Sequence, residues 1–240
     1  MAEQLYTIPV NDAFSADCEC PLCLLYKDLE EKAIEFTLGP SYMEDDNRAE
    51  TDRLGFCPKH IKMMYEQKNR LGIALMLNTH MNKTIKDLKA LSSKNKPKKK
   101  PLLSKKADNP VSSYIDNLNS SCFVCQRIEP IFKRYIDTIF HMYKKDPDFK
   151  GKLKNCKGFC LEHYGLLYNS ALSYLSHKEI DEFIPLINDS FFKGLERVNG
   201  DVSWFIDKYD YRNQNAPWKN SKDALPRAII KTCHLIIDEE

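Results

Sequence analysis

The chain has 240 residues and a mass of 27.9 kDa, enough for one large domain or two small ones, and its 42% hydrophobic and 29% charged residues exclude the disordered and fibrous classes. A formal charge of +2 names no partner, and only 8 glycines argue against a turn-rich all-β fold or a Gly-rich phosphate cradle. The outlier is 9 cysteines behind an N-terminus, Met1 to Thr7, that reads as neither a basic nor an apolar leader. That combination points away from a disulfide framework and toward metal ligands or reactive thiols in the cytoplasm.

Taken in chain order, residues 1–19 read as an extended lead-in. A helical stripe follows at Leu22, Leu25, Leu29, Ala33 and Phe36, with Pro21 suited to a first helical turn. Gly39-Pro40 punctuates it. Pro58 opens another helix carrying Ile61, Met64 and Tyr65, and a third runs from Leu71 to Leu91, so residues 20–92 form a first unit of about three helices. Between Asp87 and Asp108 there are eight lysines and no acidic residue; without them 28 basic residues face 34 acidic ones, and the balance falls from +2 to −6. Residues 93–112, punctuated by Pro97 and Pro101, therefore read as a lysine-rich solvated linker. Lys94–Lys106 could also touch phosphate, although no aromatic residue is interleaved to stack on bases.

In the second unit, stripes fall at Ile128, Ile131, Phe132, Tyr135, Ile139 and Tyr143, then at Tyr164, Leu167, Ala171 and Leu175. An apolar-periodic extension from Ile180 to Ile206 completes residues 113–240. No stretch approaches the roughly 18 apolar residues of a membrane span. The fold expected is all-α: residues 1–92 carry one helical unit and residues 113–240 another, packed into a single bundle that the C-terminal helices complete.

The chemistry lies in a repeated pattern. Cys20-Pro21-Leu22-Cys23 precedes Gly55-Phe56-Cys57-Pro58-Lys59-His60, and Cys122-Phe123-Val124-Cys125 precedes Gly158-Phe159-Cys160-Leu161-Glu162-His163. The inner cysteines are separated by 33 residues in one copy and 34 in the other. Read as an internal duplication, each copy supplies three thiolates and an imidazole, a standard closed shell for zinc, giving two ions per chain. Each ion is expected where two helix N-termini meet, so that the positive helix ends offset the net negative charge of the ligand set. An iron–sulfur cluster is the alternative use of the same residues, and a redox dithiol a third, although its βαβ context is missing.

Cys18 and Cys156 lie near the motifs at unmatched positions and read as spare thiols or ligands in exchange. Cys233-His234 reads as core, His80 as a packed or surface histidine of the Leu71–Leu91 helix, and His141 and His177 have no ligand-spaced neighbour. Below about 80 residues a helical unit usually needs a staple, which the metal supplies.

These motifs resemble a bacterial family of about this length known only as a domain of unknown function. The likeness rests on Cys20–Cys23, on Tyr42-Met43-Glu44-Asp45-Asp46-Asn47-Arg48 before Gly55-Phe56-Cys57, on Asn69 to Leu75, on the second Cys/His copy, and on Asp210-Tyr211-Arg212 with Trp218. The resemblance implies a helical metal-binding protein of the bacterial cytoplasm and no known reaction. Asp45, Asp46 and Arg48 read as a surface ion pair or helix cap, and the Asp210–Trp218 segment as packing or a folded-back lid. No nucleotide, hydrolase or metalloprotease motif is present. The expectation is therefore a non-enzymatic interaction or regulatory module with an unidentified protein partner; the alternatives are a redox or iron–sulfur protein and a nucleic-acid-binding protein acting through the linker.

Overall fold

The computed structural model describes residues 4–94 and 109–237, and these hold eleven α-helices and no strand. Among the described residues no helix is long and apolar enough to cross a membrane. The linker lysines from Lys96 to Lys106 lie outside the described residues. The chain divides into two compact units, one of residues 1–28 and 131–240, the other of residues 29–130. The second is thus inserted in the sequence of the first, and the divisions fall inside two helices, α2 (Pro21–Leu38) and α7 (Phe123–Lys145).

In the inserted unit, α2 ends where Gly39 N–H bonds the Glu35 carbonyl at 2.8 Å and Pro40–Met43 form a 3-10 turn. Four further helices are α3 (Asp45–Leu54), α4 (Pro58–Glu66), α5 (Arg70–Lys94) and α6 (Pro110–Asn119). Residues 20–92 therefore hold four α-helices rather than three. The one missed, α3, has the sequence DDNRAETDRL and buries only Thr51 and Leu54, too little to leave an apolar stripe. Its first turn carries Asp45 and Asp46, whose carboxylates suit the positive helix end. α3 packs on α5 over a core that includes Leu54, Met64, Ile73 and Met76.

In the discontinuous unit, residues 4–15 are not extended. They form α1 (Gln4–Ser15), which buries Val10, Ala13 and Phe14. Those positions, with Tyr6, are spaced by four, three and one, a helical face that Pro9 masks in the sequence. The unit continues through α8 (Pro147–Asn155), α9 (Leu161–Tyr174), α10 (His177–Asp207) and α11 (Ala224–Cys233). The apolar periodicity from Ile180 to Ile206 becomes one helix of 31 residues, α10, started by a Ser176/Glu179 capping box. It packs against α8, α9 and α11. Phe149, Phe159, Leu167, Ala171, Phe183 and Ile187 have no exposed surface. After α10, Lys208 Nζ donates to the carbonyls of Asn213, Gln214 and Ala216 at 2.6, 2.8 and 2.6 Å. Trp204 Nε1 donates to the Pro217 carbonyl at 3.0 Å, and Trp218 packs on Phe205. The Asp210–Trp218 segment is a loop tied to the end of α10. Cys233 is exposed rather than core, and His234 Nδ1 lies 2.7 Å from a Glu162 carboxylate oxygen.

Candidate metal centres

All four Cys-x-x-Cys and Cys-x-x-His half-sites are built the same way. Cys20, Cys57, Cys122 and Cys160 each immediately precede a helix, and Cys23, His60, Cys125 and His163 are the third residue of that helix. The position before a helix and its third helical residue face each other across the first turn, which is why a spacing of x2 makes two ligands converge. At three of the four, Cys57 being the exception, the leading sulfur also caps the helix. Cys160 Sγ accepts the backbone N–H of His163 at 3.4 Å, and Cys20 and Cys122 accept those of Cys23 and Cys125. These are the free N–H groups that every helix start must satisfy.

The half-sites do not pair in chain order. Cys20 and Cys23 meet Cys160 and His163, while Cys122 and Cys125 meet Cys57 and His60. The first Cys-x-x-Cys therefore joins the second Gly-Phe-Cys-x-x-His, and the expectation that each sequence copy builds its own site is wrong. The reason is topological: all four half-sites present the same local geometry, so nothing in them selects a partner, and the helices that pack together decide. Each centre lies wholly within one compact unit: Cys20, Cys23, Cys160 and His163 in the discontinuous unit, the other four ligands in the inserted one.

The geometry fits a single four-coordinate ion. With metal–sulfur bonds of about 2.3 Å and metal–nitrogen bonds of about 2.0–2.1 Å, the edges of a tetrahedral shell are about 3.5–3.8 Å. In the discontinuous unit His163 Nδ1 lies 3.5, 3.3 and 3.2 Å from the sulfurs of Cys20, Cys23 and Cys160, and the Cys23 and Cys160 sulfurs are 3.6 Å apart. In the inserted unit His60 Nδ1 lies 3.2, 3.3 and 3.4 Å from the sulfurs of Cys57, Cys122 and Cys125. Within each group all ligand atoms lie within 4.8 Å of one another. Three sulfurs so close ionise together only around a cation. Against the opposing effect of burial, hydrogen bonds with Cys160 and Cys23 hold the Cys20 thiol well below its ordinary value. Those same contacts, with Cys160 first, drive Cys23 up.

Each centre is held from behind in its own way. At the inserted centre, His60 Nε2 is 2.9 Å from Glu30 Oε1, to which Lys59 Nζ also binds at 2.6 Å. The carboxylate fixes the ring so that Nδ1 faces the sulfurs. Phe123 N–H donates to the Gly55 carbonyl at 3.0 Å, and Ser121 Oγ to the Leu54 carbonyl at 2.7 Å, tying one half-site to the other. At the other centre a buried ammonium makes the tie: Lys231 Nζ donates to the carbonyls of Glu19 and Lys157, both at 2.7 Å. These residues immediately precede Cys20 and Gly158. Glu19 Oε2 lies 3.3 Å from Lys231 and accepts from Arg197 at 2.6 Å. The Phe132 ring packs on His163.

The glycine of each Gly-Phe-Cys is required. Gly55 and Gly158 adopt φ of +61° and +94°. A Cβ on Gly55 would meet the His80 ring at 2.8 Å, and one on Gly158 would meet the Ser190 carbonyl oxygen at 2.5 Å. His80, whose Nδ1 donates to the Asp52 carbonyl at 2.8 Å, is thus a packing residue. Neither Cys18 nor Cys156 joins a ligand group. Burial, then the charges of Cys20 and Cys156, pushes the Cys18 thiol up to about 12, and burial pushes Cys156 up to about 11. Glu30, Glu19 and Lys231 were not foreseen: each sits in the sequence among ordinary charged or apolar neighbours, with no spacing to mark it.

Fold and sites together define an all-α protein with two Cys3His groups, each supplying four ligand atoms from the chain itself. The chain belongs to a family described as a family of unknown function (DUF6062), whose model matches residues 1–239. Comparison with curated proteins and with solved structures finds no match.

Proposed function

We propose that this protein is a non-enzymatic interaction or regulatory module of the bacterial cytoplasm, built on two structural zinc sites and serving a protein partner. The observation that carries the reading is the ligand geometry. Four ligand atoms within 4.8 Å of one another, with sulfur–nitrogen edges of 3.2–3.5 Å, suit one tetrahedral ion and leave no coordination position for a substrate. An iron–sulfur cluster spreads its terminal ligands over several irons and needs them further apart, so the same geometry favours a mononuclear ion. Two helix N-termini at each centre favour the thiolate form that zinc requires.

Elemental analysis with an absorption spectrum, on anaerobically purified full-length protein, tests the reading. About two zinc ions per chain and no visible band are expected. Folded protein without metal, or iron with a visible band, would overturn it.

A further inference from the structure

The two centres have the same ligand chemistry and different access to solvent. At the centre of the discontinuous unit every ligand is buried: Cys20 at 1%, Cys23 at 4%, Cys160 at 0% and His163 at 4% exposure. At the centre of the inserted unit Cys122 and His60 are equally buried, at 4% and 1%, but Cys57 and Cys125 are partly exposed. The surroundings follow the same division. The buried centre is closed by the Lys231 ammonium across both half-sites, by Phe159 at 0% exposure and by the Phe132 ring on its histidine. At the other centre the flanking Lys59 is half exposed.

We propose that the centre formed by Cys57, His60, Cys122 and Cys125 is a thiol-modification site at which hydroperoxides oxidise the Cys122–Cys125 pair and release the ion, whereas the centre formed by Cys20, Cys23, Cys160 and His163 is permanent. This inference rests on the reading of both centres as zinc sites. Oxidation of a metal-bound thiolate requires the oxidant to approach the sulfur, so susceptibility follows thiolate character and exposure. Both centres hold thiolates, and exposure separates them.

The chemistry balances with the hydroperoxide as sole oxidant. The Cys125 thiolate attacks a peroxide oxygen; a sulfur–oxygen bond forms, the oxygen–oxygen bond breaks, and hydroxide leaves. The Cys122 thiolate, whose sulfur is within 4.8 Å, then attacks the Cys125 sulfur of the sulfenic acid and expels a second hydroxide. Two protons convert the hydroxides to water. Two thiolates and one hydrogen peroxide thus become one disulfide and two waters. A disulfide does not ligate zinc as a thiolate pair does, and the two remaining ligands, Cys57 and His60, hold the ion too weakly to keep it.

The test uses zinc-loaded, full-length protein carrying Cys233→Ser, which removes an exposed thiol outside both ligand groups. Hydrogen peroxide is added, zinc release is followed with a chromogenic chelator, and disulfides are located by peptide mass spectrometry. The expected result is loss of one ion per chain on the order of tenfold faster than the other, with a Cys122–Cys125 disulfide formed in step. Equal rates for both ions, first oxidation at Cys20 or Cys23, or release of neither ion would overturn the proposal. Failure of the underlying reading is seen separately, as fewer than two zinc ions per chain before any peroxide is added.

Discussion

Replacing Gly158 by alanine should destabilise the protein by about 2–5 kcal/mol, while the same replacement at Gly165 should stabilise it. Gly158 has φ +94° and leads into Phe159 and Cys160. A side chain in the left-handed region costs about 1–2 kcal/mol. The new Cβ would also lie 2.5 Å from the Ser190 carbonyl oxygen and 3.3 Å from Phe191 Cα. Both are backbone atoms of α10 that cannot swing aside, and such overpacking adds about 1–3 kcal/mol. Gly165 lies inside α9 with no atom within 4 Å of its added Cβ, so alanine there gains about 0.5–1 kcal/mol of helix stability. For a chain of this size each kcal/mol moves Tm by about 2–4 °C. Thermal unfolding of the two metal-loaded variants should therefore shift in opposite directions, by roughly 4–20 °C downward for Gly158→Ala and about 1–4 °C upward for Gly165→Ala. Equal shifts, or a Gly158→Ala variant as stable as the parent, would refute the close approach of α10 to the Gly-Phe-Cys turn.

Lys231→Met should cost about 3 kcal/mol, seen as a fall of roughly 6–12 °C in Tm, because it leaves the buried Glu19 carboxylate with Arg197 alone and two carbonyls without their donor; an unchanged Tm would mean the ammonium does not clip the half-sites together. Glu30→Gln removes the charge behind His60 but keeps an acceptor for Nε2–H, so zinc affinity at the inserted centre alone should fall about tenfold. Chelator competition that weakens both centres, or neither, would contradict the role given to Glu30. Burial opposes protonation of His60, but its hydrogen bonds with Cys122 and Glu30 outweigh this and raise its pKa to about 9 in the metal-free protein. Zinc must displace that proton together with those of the thiols, of which burial and the Cys122 charge drive Cys125 up, so the free state carries more protons than the bound one, and affinity at this centre should climb with pH through about 9 and beyond. Calorimetric titrations showing no pH dependence would refute the argument.

The parts of the structure legible in the sequence are those set by local chemistry. The x2 spacing follows from helix-start geometry, and the eight residues that gather into two Cys3His groups, with the helices behind them, can be read from it. α5 is visible because its apolar positions repeat. What was hidden depended on distant packing. Four similar half-sites at separations of 33 and 34 residues carry no information about which two converge, so chain order suggested the wrong pairs. α1 was obscured by Pro9, and α3 by its polar sequence. Cys233 lies in an apolar run, but α11 turns it outward. Glu30 and Lys231 are charged residues whose burial exists only once the helices are packed.

The crossed pairing of half-sites is the central claim, and metal content of paired variants tests it directly. Cys23→Ser with Cys160→Ser damages one centre twice, whereas Cys23→Ser with Cys57→Ser damages both centres once. The account predicts about one zinc ion per chain for the first pair and none tightly held for the second. The opposite outcome, one ion retained with Cys23→Ser and Cys57→Ser and none with Cys23→Ser and Cys160→Ser, would show that each sequence copy builds its own site and would contradict the account.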